Sequence, residues 1–140
     1  MNVYLDTSVI LSRLLNQSIQ LKEWGDWENV YTSVVTKVEF FRTVDRLRLE
    51  SKIDDEMLTV LNKQFTVLWE TMHRIPVEES ILARASAPFS TVVGTLDAIH
   101  LASALEAVPP AMHPDFQFLT HDLQLSRAAE TVGFRVVGIG

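Results

Sequence analysis

Apolar positions along the chain fall into short runs separated by segments with helical spacing. Residues 3–5 (Val-Tyr-Leu) open the chain as an unbroken apolar run. Such a run, with no polar alternation, predicts a strand covered on both faces. Thr7 and Ser8 follow, and Val9, Ile10, Leu11, Leu14 and Leu15 then recur at the spacing of one helix face. Residues 18–24 predict a short helix ended by Gly25. A second strand is predicted over 30–32, with Ser33 capping a helix that runs to about Leu49. Asp54 caps the next helix, to about Glu70, and places Asp55 and Glu56 in its first turn, where the helix dipole favours them. A weak strand over 74–77 and a helix over 78–87 come next. Thr95 is placed to cap a helix from Leu96 to about Ala107. A strand over 116–119, a helix over 121–132 and a last strand over 134–137 complete the series. Strands alternating with helices of this length predict an α/β fold, a short, mostly parallel sheet flanked by helices on both faces. In such sheets ligands bind beyond the carboxyl ends of the strands.

Composition narrows the setting. The chain has 140 residues, which suits one domain over 1–140, and 47% of them are hydrophobic against 21% charged, the balance of a folded protein. The absence of cysteine excludes a disulfide scaffold, a thiol nucleophile and a Cys-ligated metal. The opening MNVYLDTSVI has an acid at position six and no basic segment, so it does not read as a signal peptide. No apolar run approaches the ~20 residues of a membrane span. A net charge of −6 excludes a general basic coat for nucleic acid. A nucleic-acid function would need a local site with bound cations. No GxGxxG or GxxxxGK[ST] segment occurs, which disfavours dinucleotide and P-loop nucleotide sites.

Four acids stand out by position. Asp6 directly follows the first strand, and Asp122 lies just past the strand over 116–119, so both belong to the ligand edge. Asp97 lies in the first turn of LDAIHLASALEA, a helix apolar or small nearly all round and therefore largely buried. Glu39 sits between Val38 and Phe40 in the second turn of its helix. Taken singly, each Asp has an ordinary role as a helix cap or first-turn charge. Taken together, acids converging on one edge repel one another, and a cation relieves the repulsion. Mg²⁺ suits such a place, since it prefers oxygen ligands and keeps several waters.

Around these acids, Ser8 and Thr120 are placed to hydrogen-bond the carboxylates, or else to cap helices. Arg42 and Arg46 lie three and seven residues after Glu39 on the same helix face, as candidates to grip a phosphate group. The plain alternative is a solvated face with internal ion pairs. His100, three after Asp97 but among Ile99, Leu101 and Ala104, reads as a core histidine rather than a ligand. His73, His113 and His121 show no ligand spacing, and Trp24, Trp27 and Trp69 read as core or interface anchors.

The segments VYLDTSVIL at 3–11, TSVVTKVEFFR at 32–42, TLDAIHLASA at 95–104 and FLTHDLQL at 118–125 resemble, in order and spacing, the PIN-domain ribonucleases of the VapC toxin type. The resemblance extends over essentially the whole chain. In that family an Asp follows the first strand, a Glu lies in an early helix, an Asp opens a late helix, and an acid follows a Thr near the end. Asp6, Glu39, Asp97 and Asp122 occupy those places, and Ser8 matches the small polar residue two after the first Asp. The resemblance implies a Mg²⁺- or Mn²⁺-dependent endoribonuclease, the toxin of a toxin–antitoxin pair in a prokaryotic cytoplasm. Asp6 and Asp97 would be the principal metal ligands, completed by Glu39 and Asp122, and cleavage would leave a 3′-hydroxyl and a 5′-phosphate. It also implies an RNA substrate such as a transfer or ribosomal RNA, a cognate antitoxin protein and a homodimer. An apolar surface on the 54–72 helix is compatible with either protein partner. Rival readings are a metal nuclease acting on structured DNA, and a PIN-fold binding module that has lost catalysis. A haloacid-dehalogenase-type phosphatase needs an Asp where Ser8 stands, and a response-regulator receiver needs an acid pair after the first strand.

Overall fold

The computed structural model describes residues 1–16, 24–108 and 114–139. In chain order the elements are β1 (Asn2–Leu5), α1 (Thr7–Leu14), β2 (Asn29–Ser33), α2 (Val35–Leu49), α3 (Asp55–Thr71), β3 (His73–Ile75), α4 (Glu79–Ser86), α5 (Thr95–Ala107), β4 (Phe116–Leu119), α6 (Leu123–Thr131) and β5 (Arg135–Val137). The five strands form one sheet in the order β3-β2-β1-β4-β5. Every pairing is parallel. The α/β architecture expected from the pattern is therefore present.

Alternation along the central strands divides the interior into two layers. Val3 and Leu5 of β1 face a cluster with Val9, Ile10, Phe40, Val44, Leu61 and Phe65, supplied by α1, α2 and α3. Tyr4 faces the other way, with Phe116 and Phe118 of β4 and Leu101, Ala104, Leu125 and Ala128 from α5 and α6. Side chains that alternate faces with a period of two make residues 3–5 of β1 apolar, since there neither face meets water. The small residues of α5 (Ala98, Ala102, Ser103, Ala104) are all buried, which lets that helix lie close to the sheet.

Several expected boundaries shift: α6 begins at Leu123 rather than 121, because Asp122 holds its cap position, and β5 begins at Arg135 rather than 134. Thr95 is the first helical residue rather than the cap. Gly94 holds the cap position with extended backbone and no side chain to bond. Ser33 ends β2 rather than capping α2: Val34 holds the cap position with no side-chain cap bond, and the Ser33 hydroxyl accepts the Val35 N–H at 3.2 Å from one residue before it. The third strand stops at Ile75, because Pro76 has no N–H to continue the ladder. Asp54 does cap its helix, accepting the Met57 N–H at 2.8 Å. The helix expected over 18–24 lies outside the described residues except for Trp24. No helix among the described residues is long and apolar enough to cross a membrane.

The topology fixes where a ligand can meet the sheet. The chain moves outward from β1 through β2 to β3, then returns to the other side of β1 with β4 and β5. The crevice at such a reversal lies at the carboxyl ends of β1 and β4. Leu5 is in register with Leu119, so Asp6 and Thr120 leave the sheet side by side, and the Asp6 N–H bonds the Leu119 carbonyl at 2.9 Å. Gly138 backs this edge: its φ is +113°, and a Cβ there would lie 2.3 Å from the Thr120 carbonyl oxygen. Gly138→Ala should therefore cost about 2 kcal/mol or more in urea unfolding, from backbone strain and overlap together. A variant as stable as wild type would show that residues 137–139 can move away from Thr120 freely.

Candidate active site

Each acid reaches the edge by a different local device. Asp6 precedes α1 but does not cap it; no side-chain cap bond is made there. Its carboxylate is buried, and Oδ2 accepts two hydroxyl hydrogen bonds, from Ser8 at 2.6 Å and from Thr120 at 2.8 Å. Both hydroxyls are themselves tied to the loop after β4: Ser8 Oγ accepts the His121 N–H at 3.0 Å, and Thr120 Oγ1 accepts the Asp122 N–H at 3.0 Å. The β1–α1 and β4–α6 junctions are thereby bolted together through one carboxylate oxygen, Oδ2.

Glu39 lies beside the buried stripe Thr36, Phe40 and Val44 of α2. Its Oε1 accepts from Thr7 Oγ1 at 2.8 Å and from His100 Nε2 at 2.6 Å. His100 is fully buried, with Nδ1 against the Tyr4 hydroxyl at 2.7 Å and Nε2 also 3.6 Å from Asp6 Oδ1. With the Tyr4 O–H donating to Nδ1, the Nε2 proton points at Glu39. Burial opposes a charge on His100, but the Glu39 hydrogen bond and the carboxylates of Asp6, Glu39 and Asp97 outweigh it, and its pKa is raised. Burial likewise opposes the Glu39 charge, but the His100 bond and charge, with Thr7, hold that carboxyl below its ordinary value. Tyr4 keeps its proton, because burial and the nearby Asp6 charge raise its pKa far above the usual range.

Asp97 has no comparable support. It is the third residue of α5, half-buried, and among the described residues no hydrogen bond to its carboxylate is found. Burial and the charges of Asp6, Asp122 and Glu39 push its pKa up to about 6, with His100 offsetting only part of this. Asp122 is exposed and caps α6, its Oδ1 accepting the Leu125 N–H at 2.9 Å. Asp6, Glu39, Asp97 and Asp122 therefore share one electrostatic neighbourhood. They do not close on one point: among the described residues, no group of three or more His, Asp or Glu side chains is placed to hold a metal ion directly.

The flanking basic residues divide. Arg42 and Arg48 both pair with Asp45 on the outer side of α2, so Arg42 is engaged within its own helix. Arg46 is exposed on the same helix with no ion pair among the described residues. Position alone did not reveal the part played by Tyr4, Thr7 and His100. His100 is a core histidine, as its neighbours suggest, yet it is also the hydrogen-bond donor that orients Glu39. Its three-residue spacing from Asp97 on a buried helix was the available signal.

The fold and this edge define a parallel α/β domain with acids gathered at its topological switch point. Residues 3–130 match the PIN domain family, and the chain belongs to it. Among known relatives it is similar to Ribonuclease VapC47 of Mycobacterium tuberculosis (strain CDC 1551 / Oshkosh), at 25% identity over 139 residues, which cover 94% of this chain and 93% of that protein. Its fold is similar to the crystal structure of VapBC2 from Rickettsia felis bound to a DNA fragment from their promoter. There the TM-score is 0.62 at 10% identity, with 98% of each chain covered.

The raised Asp97 pKa carries a stability consequence with a definite sign. The carboxyl takes up its proton near pH 6 when folded, against 3.8 for the unperturbed group. Between those values the native state binds more protons than the unfolded one, so this group's contribution to stability falls as pH rises, and the penalty is complete above them. Asp97→Asn should therefore raise Tm by a few degrees at about pH 8, with the gain vanishing by about pH 4. Equal Tm values for the two proteins across that range would mean that Asp97 carries no repulsive load.

Proposed function

We propose that the chain is a metal-dependent endoribonuclease, the toxin of a toxin–antitoxin pair, which cleaves RNA at the edge formed by Asp6, Glu39, Asp97 and Asp122. The observation that carries this reading is that half-buried Asp97 lies in the field of three other carboxylates, Asp6, Asp122 and Glu39, which together with burial, the larger cause, raise its pKa to about 6. Membership of the PIN family and the likeness to a relative named as a ribonuclease support it.

The donors fit a hard divalent cation. All four acids offer oxygen, and a cation such as Mg²⁺ or Mn²⁺ that keeps several waters needs only a few of them at once. Asp6 through Oδ1 and Asp97 through its unsupported carboxylate would be the principal ligands, with Glu39 and Asp122 completing the set directly or through water. When bound, the ion supplies a more acidic water and stabilises charge on the phosphodiester. The chain's own residues do the rest. Ser8 and Thr120 hold Asp6 by one oxygen, and His100 and Thr7 hold Glu39 by one oxygen, so each keeps a second oxygen outside those hydrogen bonds. Arg46, on the Glu39 helix, would meet phosphate. Exposed Met57, Val60 and Val67 on α3 offer an apolar face for an antitoxin or a second copy of the chain.

The direct test is end-mapped cleavage of total cellular RNA in Mn²⁺ by wild type and by Asp97→Asn. Wild type should make discrete cuts leaving 3′-hydroxyl and 5′-phosphate ends. Asp97→Asn should lose at least about a hundred-fold in rate, and EDTA should abolish the wild-type cuts. Cuts that persist in EDTA, or at equal rate in Asp97→Asn, would overturn the reading. Cleavage of branched DNA but not of RNA would replace the substrate.

A further inference from the structure

A cleft of about 520 Å³ is lined by Thr91 and Val92 from the segment before α5 and by Leu123, Gln124 and Arg127 of α6. Its two walls continue the chain segments that carry the acids. Val92 lies two residues before the cap of α5, the helix of Asp97, and Leu123 directly follows Asp122. Its chemistry is unlike that of the acid edge. Val92 is 76% and Leu123 50% exposed, an unusual investment for two apolar side chains facing one cleft. Leu123 and Arg127 are one turn apart on α6, on the side away from its buried residues Leu125, Ser126, Ala128 and Ala129. Arg127 is exposed and has no ion pair or hydrogen bond among the described residues. It thus differs from Arg42 and Arg48, which Asp45 neutralises.

We infer that this cleft binds one unpaired nucleotide of a single-stranded RNA, next to the phosphodiester presented to the acids. The inference rests on the ribonuclease reading above and adds a subsite to it. The volume suits a ligand of nucleotide size. Val92 and Leu123 offer apolar contact to the faces of a splayed-out base, and the Gln124 amide and Thr91 hydroxyl can meet its polar edge. Arg127 pairs with the adjoining phosphate, a charge match otherwise scarce in a chain of net charge −6. A base in a duplex has its faces stacked and its pairing edge occupied, so an unpaired nucleotide is the form the cleft fits.

The test uses Asp97→Asn protein with Mg²⁺, which binds RNA without cutting it, and fluorescein-labelled, short, random-sequence single-stranded RNA followed by anisotropy. Adding Arg127→Ala should weaken binding about ten-fold and reduce the slope of log affinity against log salt by about 0.7, the loss of one phosphate contact. Arg127→Lys should restore the slope. Val92→Ser should weaken binding with the slope unchanged. Arg74→Ala, at the far β3 edge of the sheet where Arg74 lies over Trp69, should change nothing. No loss in Arg127→Ala, or equal losses in Arg127→Ala and Arg74→Ala, would overturn the cleft while leaving the ribonuclease reading standing. Failure of the Asp97→Asn protein itself to bind RNA would overturn that reading and the cleft with it.

Discussion

The structure is organised around the repulsion of carboxylates collected at one end of a parallel sheet. Asp97 feels Asp6, Asp122 and Glu39 at once. The buried nitrogen donor that the fold supplies among them is His100, whose Nε2 lies 2.6 Å from Glu39 and 3.6 Å from Asp6. Like charges brought together in a half-dry crevice raise a pKa or require a counter-ion. The fold does not relieve this by moving the acids apart. It fixes them with hydroxyls instead: Ser8 and Thr120 on Asp6, Thr7 on Glu39. A hydroxyl donor stabilises a carboxylate without neutralising it, so the demand for positive charge stays at the edge.

Much of the scaffold serves that arrangement. The reversal in strand order puts β1 beside β4, and the Leu5–Leu119 register sets Asp6 next to Thr120. Gly138 leaves no room between its backbone and the Thr120 carbonyl. The buried Tyr4–His100 pair links β1 to α5 and sets the ring that orients Glu39 on α2. Residues that hold the site together are thus also core residues. A buried polar network of this kind is costly to satisfy in part and rigid when satisfied in full.

The chain order of strands and helices was legible because residues 3–5 form an unbroken apolar run, α1 has apolar positions at helical spacing and α3 has a capping acid. Asp54 is the plainest case, capping α3 as its position suggested. Strand and helix ends were less legible. At Pro76 the missing N–H, and at Gly94 the missing side chain, decided the boundary. Of the candidate site, Asp6 and Asp122 could be picked out at strand ends, Asp97 on an apolar helix, and Glu39 as an acid next to Phe40. What could not be read was which oxygen of each acid is already engaged, or that Arg42 would be taken by Asp45. Those depend on side chains far apart in sequence, such as Asp6 and Thr120 at a separation of 114 residues. The helix expected over 18–24 and His113 fall almost wholly outside the described residues.

Asp97 bears the charge of the edge that burial and its neighbouring carboxylates leave unrelieved. Carboxyl-carbon NMR titration of the metal-free protein measures this directly, with Asp97→Asn to assign the resonance. The predicted result is an Asp97 pKa of about 6, falling toward the ordinary aspartate range when Mg²⁺ is added, as a cation takes up the repulsion. An Asp97 that titrates near 3.8, its unperturbed value, with or without Mg²⁺, would contradict the account.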